Sequence, residues 1–365
     1  MHNFELSEEQ NLILDTVARF VADVAGPRAL EHDEHGTFVL ESYRQLAELG
    51  LLGLPVAEAS GGAGMSWLTF VVALEEVARG CASTARLFLG QAGLCGKALD
   101  GVPAAADLLG EILGGTLCAF VGPESGLNAR QAPGGEIVVD GVAPLVVGAA
   151  QAEHLLVAAR SDNGPVLLHV PPGKAEVRPL RPLGFRAAAP AAVEFRGVAL
   201  PARHALAQAG EAEGALRRAG LAACIGGAAI GAGIADAAWR AAVRHAGERI
   251  AFGKPLLAQQ AVAHKLVEAR RRGLAARHAA YHAARLADLH TDPAHAEVQI
   301  AAMLARIEGV EAAVYAADEA IQIHGGYGFV VEYHVERHYR DAKTLDVLDG
   351  GGERLRDALA VQLAR

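Results

Sequence analysis

Apolar residues recur at two different periods along this chain, and the change of period divides it into three. Leu12, Ile13, Val17, Phe20, Val21 and Val24 fall three and four apart, the spacing of one helix face. Ser7 before Glu8, Glu9 and Gln10 has the form of a capping box and predicts the helix start. Gly26-Pro27 breaks that helix. A second helix is predicted near Leu40 to Leu49, ending at Gly50, and a third over Trp67 to Arg79. The loop Ser60-Gly61-Gly62-Ala63-Gly64 separates them.

Ten of the fifteen prolines lie between Pro123 and Pro201. Proline is excluded from helix interiors, so this window is not helical. Its short apolar runs (Ile137-Val138-Val139, Leu155-Leu156-Val157, Val166-Leu167-Leu168, Val193 to Val198) are separated by turn residues such as Gly134-Gly135 and Asp162-Asn163-Gly164. They predict a small antiparallel barrel or sandwich. Helical periodicity returns afterwards. Small residues dominate 221–237, Gly253-Lys254-Pro255 is a break, and helices are predicted over about 256–289 and 294–323. His324-Gly325-Gly326 ends the last of these, and a shorter helix follows. The expected fold class is α+β: an N-terminal helical domain (1–115), a central antiparallel β-domain (116–210) and a C-terminal four-helix bundle (211–365).

Composition narrows the function. The chain has 365 residues, 52% of them hydrophobic and 21% charged, enough apolar material for sizeable cores. A net charge of −9 argues against nucleic acid as the main partner. The most apolar stretch, Leu221 to Ala235, is shorter than the roughly 20 residues of a spanning helix, so no membrane insertion is expected. Cys81, Cys95, Cys118 and Cys224 form no CxxC pair, and Met1 to Gln10 has no leader pattern; a reducing, cytoplasmic setting is expected. No Walker loop, Ser-His-Asp arrangement or G-x-G-x-x-G after a strand is found. Two histidine clusters invite a metal reading: Glu31-His32-Asp33-Glu34-His35, and His334 and His338 with Glu332 and Glu336. The Glu-x-x-His pairs of di-iron bundles are missing, so no metal is expected.

Local strings then carry a resemblance. Phe4-Glu5-Leu6-Ser7-Glu8-Glu9-Gln10 opens the chain. Leu49 to Pro55 precedes the glycine loop, and Leu74-Glu75-Glu76-Val77-Ala78-Arg79 follows it. Val198-Ala199-Leu200-Pro201 closes the β-domain. Arg249-Ile250-Ala251-Phe252-Gly253-Lys254-Pro255, Gln322 to Gly328, and Val335 to Ala342 complete the series. In this order the strings resemble the flavin-dependent acyl-CoA dehydrogenase family over essentially the whole chain. The resemblance implies FAD as cofactor, an acyl-CoA or carrier-bound acyl thioester as substrate, and a homo- or hetero-tetramer. It also implies an electron-transfer flavoprotein as electron acceptor. The implied reaction removes an α-proton to a carboxylate while the β-hydride passes to the flavin.

Matched to the family pattern, the base position reads Asp349, one methylene shorter than the usual glutamate, about 1.5 Å. Gly350, Gly351 and Gly352 free the backbone there; the alternative is a solvated loop aspartate before a glycine turn. The other place where family members carry the base falls on Ala223, and the neighbouring arginine position is Cys224. The resemblance implies that Arg249 and Phe252 reach a neighbouring subunit's FAD, at its phosphates and rings. Gln322, Gly325 and Gly326 are implied to line the same cofactor; a surface arginine, a core phenylalanine at a helix end and a glycine helix end are the plain alternatives. In the β-domain the family's flavin-holding stretch becomes Val121-Gly122-Pro123-Glu124-Ser125-Gly126-Leu127-Asn128, with only Pro123 and Gly126 kept. The aromatic-Ile-Thr/Ser strand becomes Leu145-Val146-Val147. Two readings stay open: an FAD-dependent dehydrogenase using Asp349, and an FAD-poor, non-catalytic subunit that completes the FAD site of a paralogous chain.

Overall fold

The structure, a computed structural model, describes residues 6–363. Phe4 and Glu5 of the opening string lie outside the described residues. The first part is helical: α1 (Glu8–Phe20), α2 (Ala29–His35), α3 (Leu40–Glu48), α4 (Trp67–Gly80), α5 (Ala82–Phe88), α6 (Lys97–Leu99) and α7 (Ala106–Leu113). The capping box is formed: Ser7 Oγ accepts from the Gln10 amide at 3.2 Å, and Gln10 Oε1 accepts from the Ser7 amide at 2.9 Å. Gly50 ends the α3 region in the left-handed conformation that its missing Cβ permits (φ 70°). At α4 the Ser66 cap is joined by Asp288, whose carboxylate accepts from the Trp67 amide at 2.6 Å. That bond ties the first helices to the last part of the chain.

Eight strands follow in one sheet: β1 (Cys118–Val121), β2 (Asn128–Gln131), β3 (Ile137–Val146), β4 (His154–Ser161), β5 (Gly164–Val170), β6 (Glu176–Pro179), β7 (Ala191–Leu200) and β8 (Ala205–Gln208). The order is β6-β7-β3-β2-β4-β5-β8, with β1 paired to β4. All four apolar runs named from the sequence lie in strands. The expectation of an antiparallel domain is corrected, however, because β4 runs parallel to both β1 and β2. Hairpins impose antiparallel pairing at β2–β3 and β4–β5. β3 runs antiparallel to β2, and the chain then turns back through 147–153 to the far side of β2, so β4 is antiparallel to β3 and parallel to β2. The sheet is mixed.

The last part comprises α8 (Ala209–Glu248), α9 (Gln260–Leu289), α10 (Ala296–His324), α11 (Val335–Val347) and α12 (Gly351–Leu363). The break at Gly253-Lys254-Pro255 is a tight two-stranded hairpin, β9 (Ile250–Ala251) against β10 (Lys254–Pro255). α8 is long and apolar enough to cross a membrane by length and composition, but it is the central core helix: Ile225, Ala228, Ala229, Ile230 and Ile234 are fully buried. Its small residues let backbones touch. A Cβ on Gly231 would sit 2.4 Å from the Gly309 carbonyl oxygen of α10, and one on Gly233 2.5 Å from the Glu75 carbonyl oxygen of α4. The bundle is therefore not closed upon itself: α4 joins it, and Phe70, Val71 and Leu74 share one apolar core with Ile225, Ala229 and Ala283.

α11 is the joint between all three parts. Arg340 is 8% exposed and pairs with Asp33 of α2 and Glu336 of its own helix, while donating to the Leu183 carbonyl at 3.0 Å. Thr344 Oγ1 accepts from the Gly184 amide at 2.8 Å, and Asp341 Oδ1 accepts from the Phe185 amide at 2.7 Å. Both histidine clusters are drawn into this joint: Asp33 and Glu336 are committed to Arg340, and His338 is buried, its imidazole pushed towards the neutral form by desolvation and then by Arg337.

Two outcomes follow from this packing. Gly231→Ala is expected to lower stability by about 1–3 kcal/mol, because the methyl group meets backbone that has no room to move. Gly220→Ala on the open side of α8 should instead raise it by about 0.5–1 kcal/mol through helix propensity; paired denaturant titrations measure both. Burial lifts the Asp341 carboxyl to about 6. A carboxyl raised above its unfolded value gives its full stabilisation below about pH 4 and loses it as pH rises through about 6. Asp341→Asn should flatten that loss, by up to about 3 kcal/mol between pH 4 and 7.

Candidate active site

The turn between α11 and α12 carries Asp349. Its backbone is left-handed (φ 56°, ψ 33°), uncommon for a residue with a Cβ, and Gly350 and Gly351 continue at positive φ (99° and 74°). The glycines thus accomplish what the sequence suggested: the chain reverses sharply and turns the short carboxylate inward, where its side chain is 14% exposed. It is not a solvated loop aspartate.

Two arginines meet it there. Arg86 stands on α5 among the buried residues Ala82, Ala85, Leu87 and Phe88, and donates from Nη2 to Asp349 Oδ1 at 2.7 Å. Arg306, from α10, places Nη2 at 4.0 Å from Asp349 Oδ2 while donating to the Leu345 carbonyl at 2.7 Å. The arginine side chains are 5% and 4% exposed. Asp349 Oδ2, Arg86 Nε and Arg306 Nη1 are buried without a hydrogen-bond partner. Buried polar atoms are nearly always paired, so this concentration of free valence marks a site built for something else to enter.

Neither arginine was singled out from the sequence, yet each left a signal. Arg86 is the one charged residue in a run that is otherwise apolar or small, Cys81 to Gly90. Arg306 needs Gly227 opposite it, where a Cβ would sit 1.5 Å from Arg306 Nη1. Beyond α5 the helix widens to a π-helical stretch, Leu89–Gly96, a deformation frequent at functional sites. A narrow cleft runs here, lined by Arg86, Gly90, Leu94, Phe120 and Val147. Cys224 is close enough for its thiol to feel both Arg306 and Asp349, but burial pushes it up to about 11, so it stays neutral. Ala223 beside it offers no carboxylate. Glu124, at the turn after β1, also senses Asp349: desolvation first, then that negative charge, raises its carboxyl.

The other sequence-predicted residues gather elsewhere, at the end of the bundle where α8 and α10 stop. His245 of α8 stacks on His324 of α10 with ring centroids 4.2 Å apart, which brings the Arg249 corner beside Gln322, Gly325 and Gly326. Arg249 is exposed and, among the described residues, forms no ion pair. Gly325 adopts φ 61°, ψ −132°, a conformation open essentially to glycine alone. A Cβ on Gly325 or Gly326 would meet nothing within 4 Å, so this is a bare, open stretch of backbone. An exposed guanidinium and open glycine backbone are each chemistry that can hold a phosphate. Phe252, at 98% exposure, Phe329, at 77%, and Ile250 are exposed on the segments that follow α8 and α10. Phe252 is therefore not a core phenylalanine.

The flavin-holding stretch of the sheet is less well matched. Leu127 is 1% exposed and packs against Gly141, where a Cβ would be 2.7 Å from its Cδ2. It is part of the apolar core of the sheet. Val146 is buried in β3, and Leu145 and Val147 face the helical core.

With this geometry in hand the comparisons are clear. Residues 7–102 match the acyl-CoA dehydrogenase N-terminal domain, and residues 222–364 the acyl-CoA dehydrogenase C-terminal domain. The probable acyl-CoA dehydrogenase YngJ of Bacillus subtilis (strain 168) is 31% identical over the full length of both chains. The human mitochondrial short-chain specific acyl-CoA dehydrogenase is 30% identical, over 99% of this chain and 91% of its own. The structure of butyryl-CoA dehydrogenase from Megasphaera elsdenii superposes with a TM-score of 0.90 at 26% identity, covering both chains completely. A non-catalytic, FAD-poor partner subunit is not favoured, because relatives that match end to end are dehydrogenases themselves. The chain belongs to the acyl-CoA dehydrogenase family, whose members are FAD-dependent oxidoreductases.

Proposed function

We propose that this chain desaturates an acyl thioester between Cα and Cβ, with Asp349 as the base and FAD as the cofactor. The observation that carries the reading is the state of Asp349. Its side chain is only 14% exposed, it is held in a left-handed backbone conformation, and its buried Oδ2 has no hydrogen-bond donor among the described residues. Strain retained at one residue is characteristic of active sites. A base needs a lone pair aimed at the proton it removes, and geometry precedes pKa in deciding whether it can act.

The family chemistry then assigns roles to this chain's own groups. Asp349 Oδ2 receives the α-proton, while Arg86 on Oδ1 fixes the carboxylate plane. Arg306 anchors the turn itself through the Leu345 and Leu348 carbonyls. Leu94, Phe120 and Val147, which line the narrow cleft beside Arg86, would flank the acyl chain. FAD, when bound, supplies the acceptor for the β-hydride. Arg249, with the open backbone at Gly325 and Gly326, would hold its phosphates, Gln322 would line the same corner, and Phe252 would cover its rings, all in a neighbouring protomer. The exposed aromatic surface at that corner supports a tetramer built on this bundle. CoA or a carrier protein bears the acyl group, and an electron-transfer flavoprotein takes the electrons onward.

Asp349→Asn should slow anaerobic, thioester-dependent bleaching of the flavin by about 10²–10⁴ in stopped flow. Asp349→Glu, which restores the missing methylene, should retain bleaching. Unchanged bleaching in the asparagine variant removes Asp349 from the mechanism. Arg249→Gln should weaken FAD binding about 10- to 100-fold in equilibrium dialysis, the loss expected for one charge-assisted hydrogen bond. The unfolding midpoint of the FAD-free protein should not move, because Arg249 holds no partner within the described chain.

A further inference from the structure

The turn that joins α9 to α10 gathers two histidines and a glutamate that the desaturation reading leaves unused. His290 follows the last residue of α9, His295 precedes the first of α10, and Glu297 stands in the first turn of α10. The two imidazoles stack almost parallel, with ring centroids 3.9 Å apart and planes 16° from one another. One ligand atom from each of the three side chains lies within 4.8 Å of the other two. Both rings are half-buried and Glu297 is exposed, so one side of the group opens to solvent. His295 Nδ1 is itself buried and has no hydrogen-bond partner among the described residues. Buried polar atoms are nearly always paired, so this ring is incomplete as it stands. The backbone beneath is fixed. The Asp292 carboxylate accepts from the Ala294 amide at 2.8 Å, the Asp292 carbonyl from the His295 amide at 3.1 Å, and the His295 carbonyl from the Gln299 amide at 3.1 Å.

We propose that His290, His295 and Glu297 bind a divalent transition-metal ion, Zn²⁺, with water as the fourth ligand. Two imidazole nitrogens and one carboxylate oxygen are a donor set for zinc, whereas Mg²⁺ and Ca²⁺ require a shell of oxygens that this group does not offer. A tetrahedral Zn²⁺ holds imidazole nitrogens at about 2.0–2.1 Å, which places two of them about 3.4 Å from each other. The ligand atoms therefore close by at most about 1.4 Å, a distance that side-chain rotation supplies over a fixed backbone. The stacked rings reach it by swinging in opposite directions about their own χ angles. The ion would also have a mechanical effect. Asp288, two residues before His290, accepts from the Trp67 amide at 2.6 Å and so caps the start of α4. An ion bridging the end of α9 and the start of α10 would hold that capping residue in place. The site is a clamp on this turn rather than a step in desaturation, and it stands or falls independently of Asp349.

The full-length, untagged protein is stripped with a chelator and titrated with ZnCl₂ by calorimetry, with MgCl₂ as the control ion. Wild type should take up one Zn²⁺ per chain and no Mg²⁺ at the same concentrations. His290→Gln and His295→Gln should each weaken Zn²⁺ binding about 100-fold, and Glu297→Gln about tenfold, losses at least as large as those caused by removing the outer partners of a metal site. His35→Gln, an exposed histidine of a separate cluster, should leave binding unchanged. Co²⁺ in place of Zn²⁺ should give the visible absorption of a tetrahedral ion, and the band should vanish when both histidines are replaced. The thermal unfolding midpoint should rise with Zn²⁺ concentration in wild type and stay constant in His295→Gln, because a ligand stabilises the state that binds it. Absence of saturable binding, binding that survives the loss of both histidines, or equal uptake of Mg²⁺ overturns the proposal. Should a histidine variant fail to fold, Glu297→Gln, on the exposed side, and the Co²⁺ spectrum of wild type decide.

Discussion

One buried ion pair, Arg86 with Asp349, holds the functional centre together across 263 residues of sequence. It forms only if α5 of the first helices and the α11–α12 turn of the last ones are brought to the same place, and the rest of the fold serves that meeting. α8 supplies the fixed axis. Its glycines admit α10 on one side and α4 on the other at backbone contact, which fixes both helices that flank the site. A helix bearing large side chains could be equally apolar but would hold its neighbours an ångström or more further out, and the arginines would no longer reach.

The α11 joint performs the same service at the other end. Arg340, Asp341 and Thr344 take hydrogen bonds from, or give them to, Asp33, Leu183, Gly184 and Phe185, so one helix is pinned by the N-terminal part and the sheet domain together. Gly184 lies so close to α11 that a Cβ would be 2.3 Å from the Arg340 carbonyl oxygen. Because α11 cannot slide, the strained turn that follows it cannot relax, and Asp349 stays directed inward. Polar groups buried in this way contribute little net stability; their effect is to permit one arrangement and penalise others.

The cofactor corner shows the opposite design. Arg249, Phe252, Gln322, Gly325 and Gly326 are all exposed, and the hydrophobic groups around them have nothing of their own chain to cover them. Interior side chains are committed to partners within the subunit, and this corner is committed to none. Asp349 is enclosed while this corner faces outward, which is the arrangement that the proposed sharing of FAD between protomers needs.

Much of this was legible in the residues. Helix starts and stops follow from local chemistry, as Ser7, Gly50 and Ser66 show. The strands follow from β-branched runs between turn residues, and Asp349, Arg249 and the glycine pair follow from ordered motifs that survive as strings. The direction of β4 relative to β1 and β2 did not, because a strand's composition does not encode which way its neighbour runs. Nor did the roles of Arg86 and Arg306. In sequence each is a single basic residue in a helix; the apolar run around Arg86 hints at burial but not at what the guanidinium faces. Periodicity and motif determined the three-part fold and the family, and pointed to Asp349, since those depend on near neighbours in the chain. Only the tertiary structure decided that two guanidiniums face that base, because the electrostatics of a buried group are set by what packs against it from distant segments and by the water that packing removes.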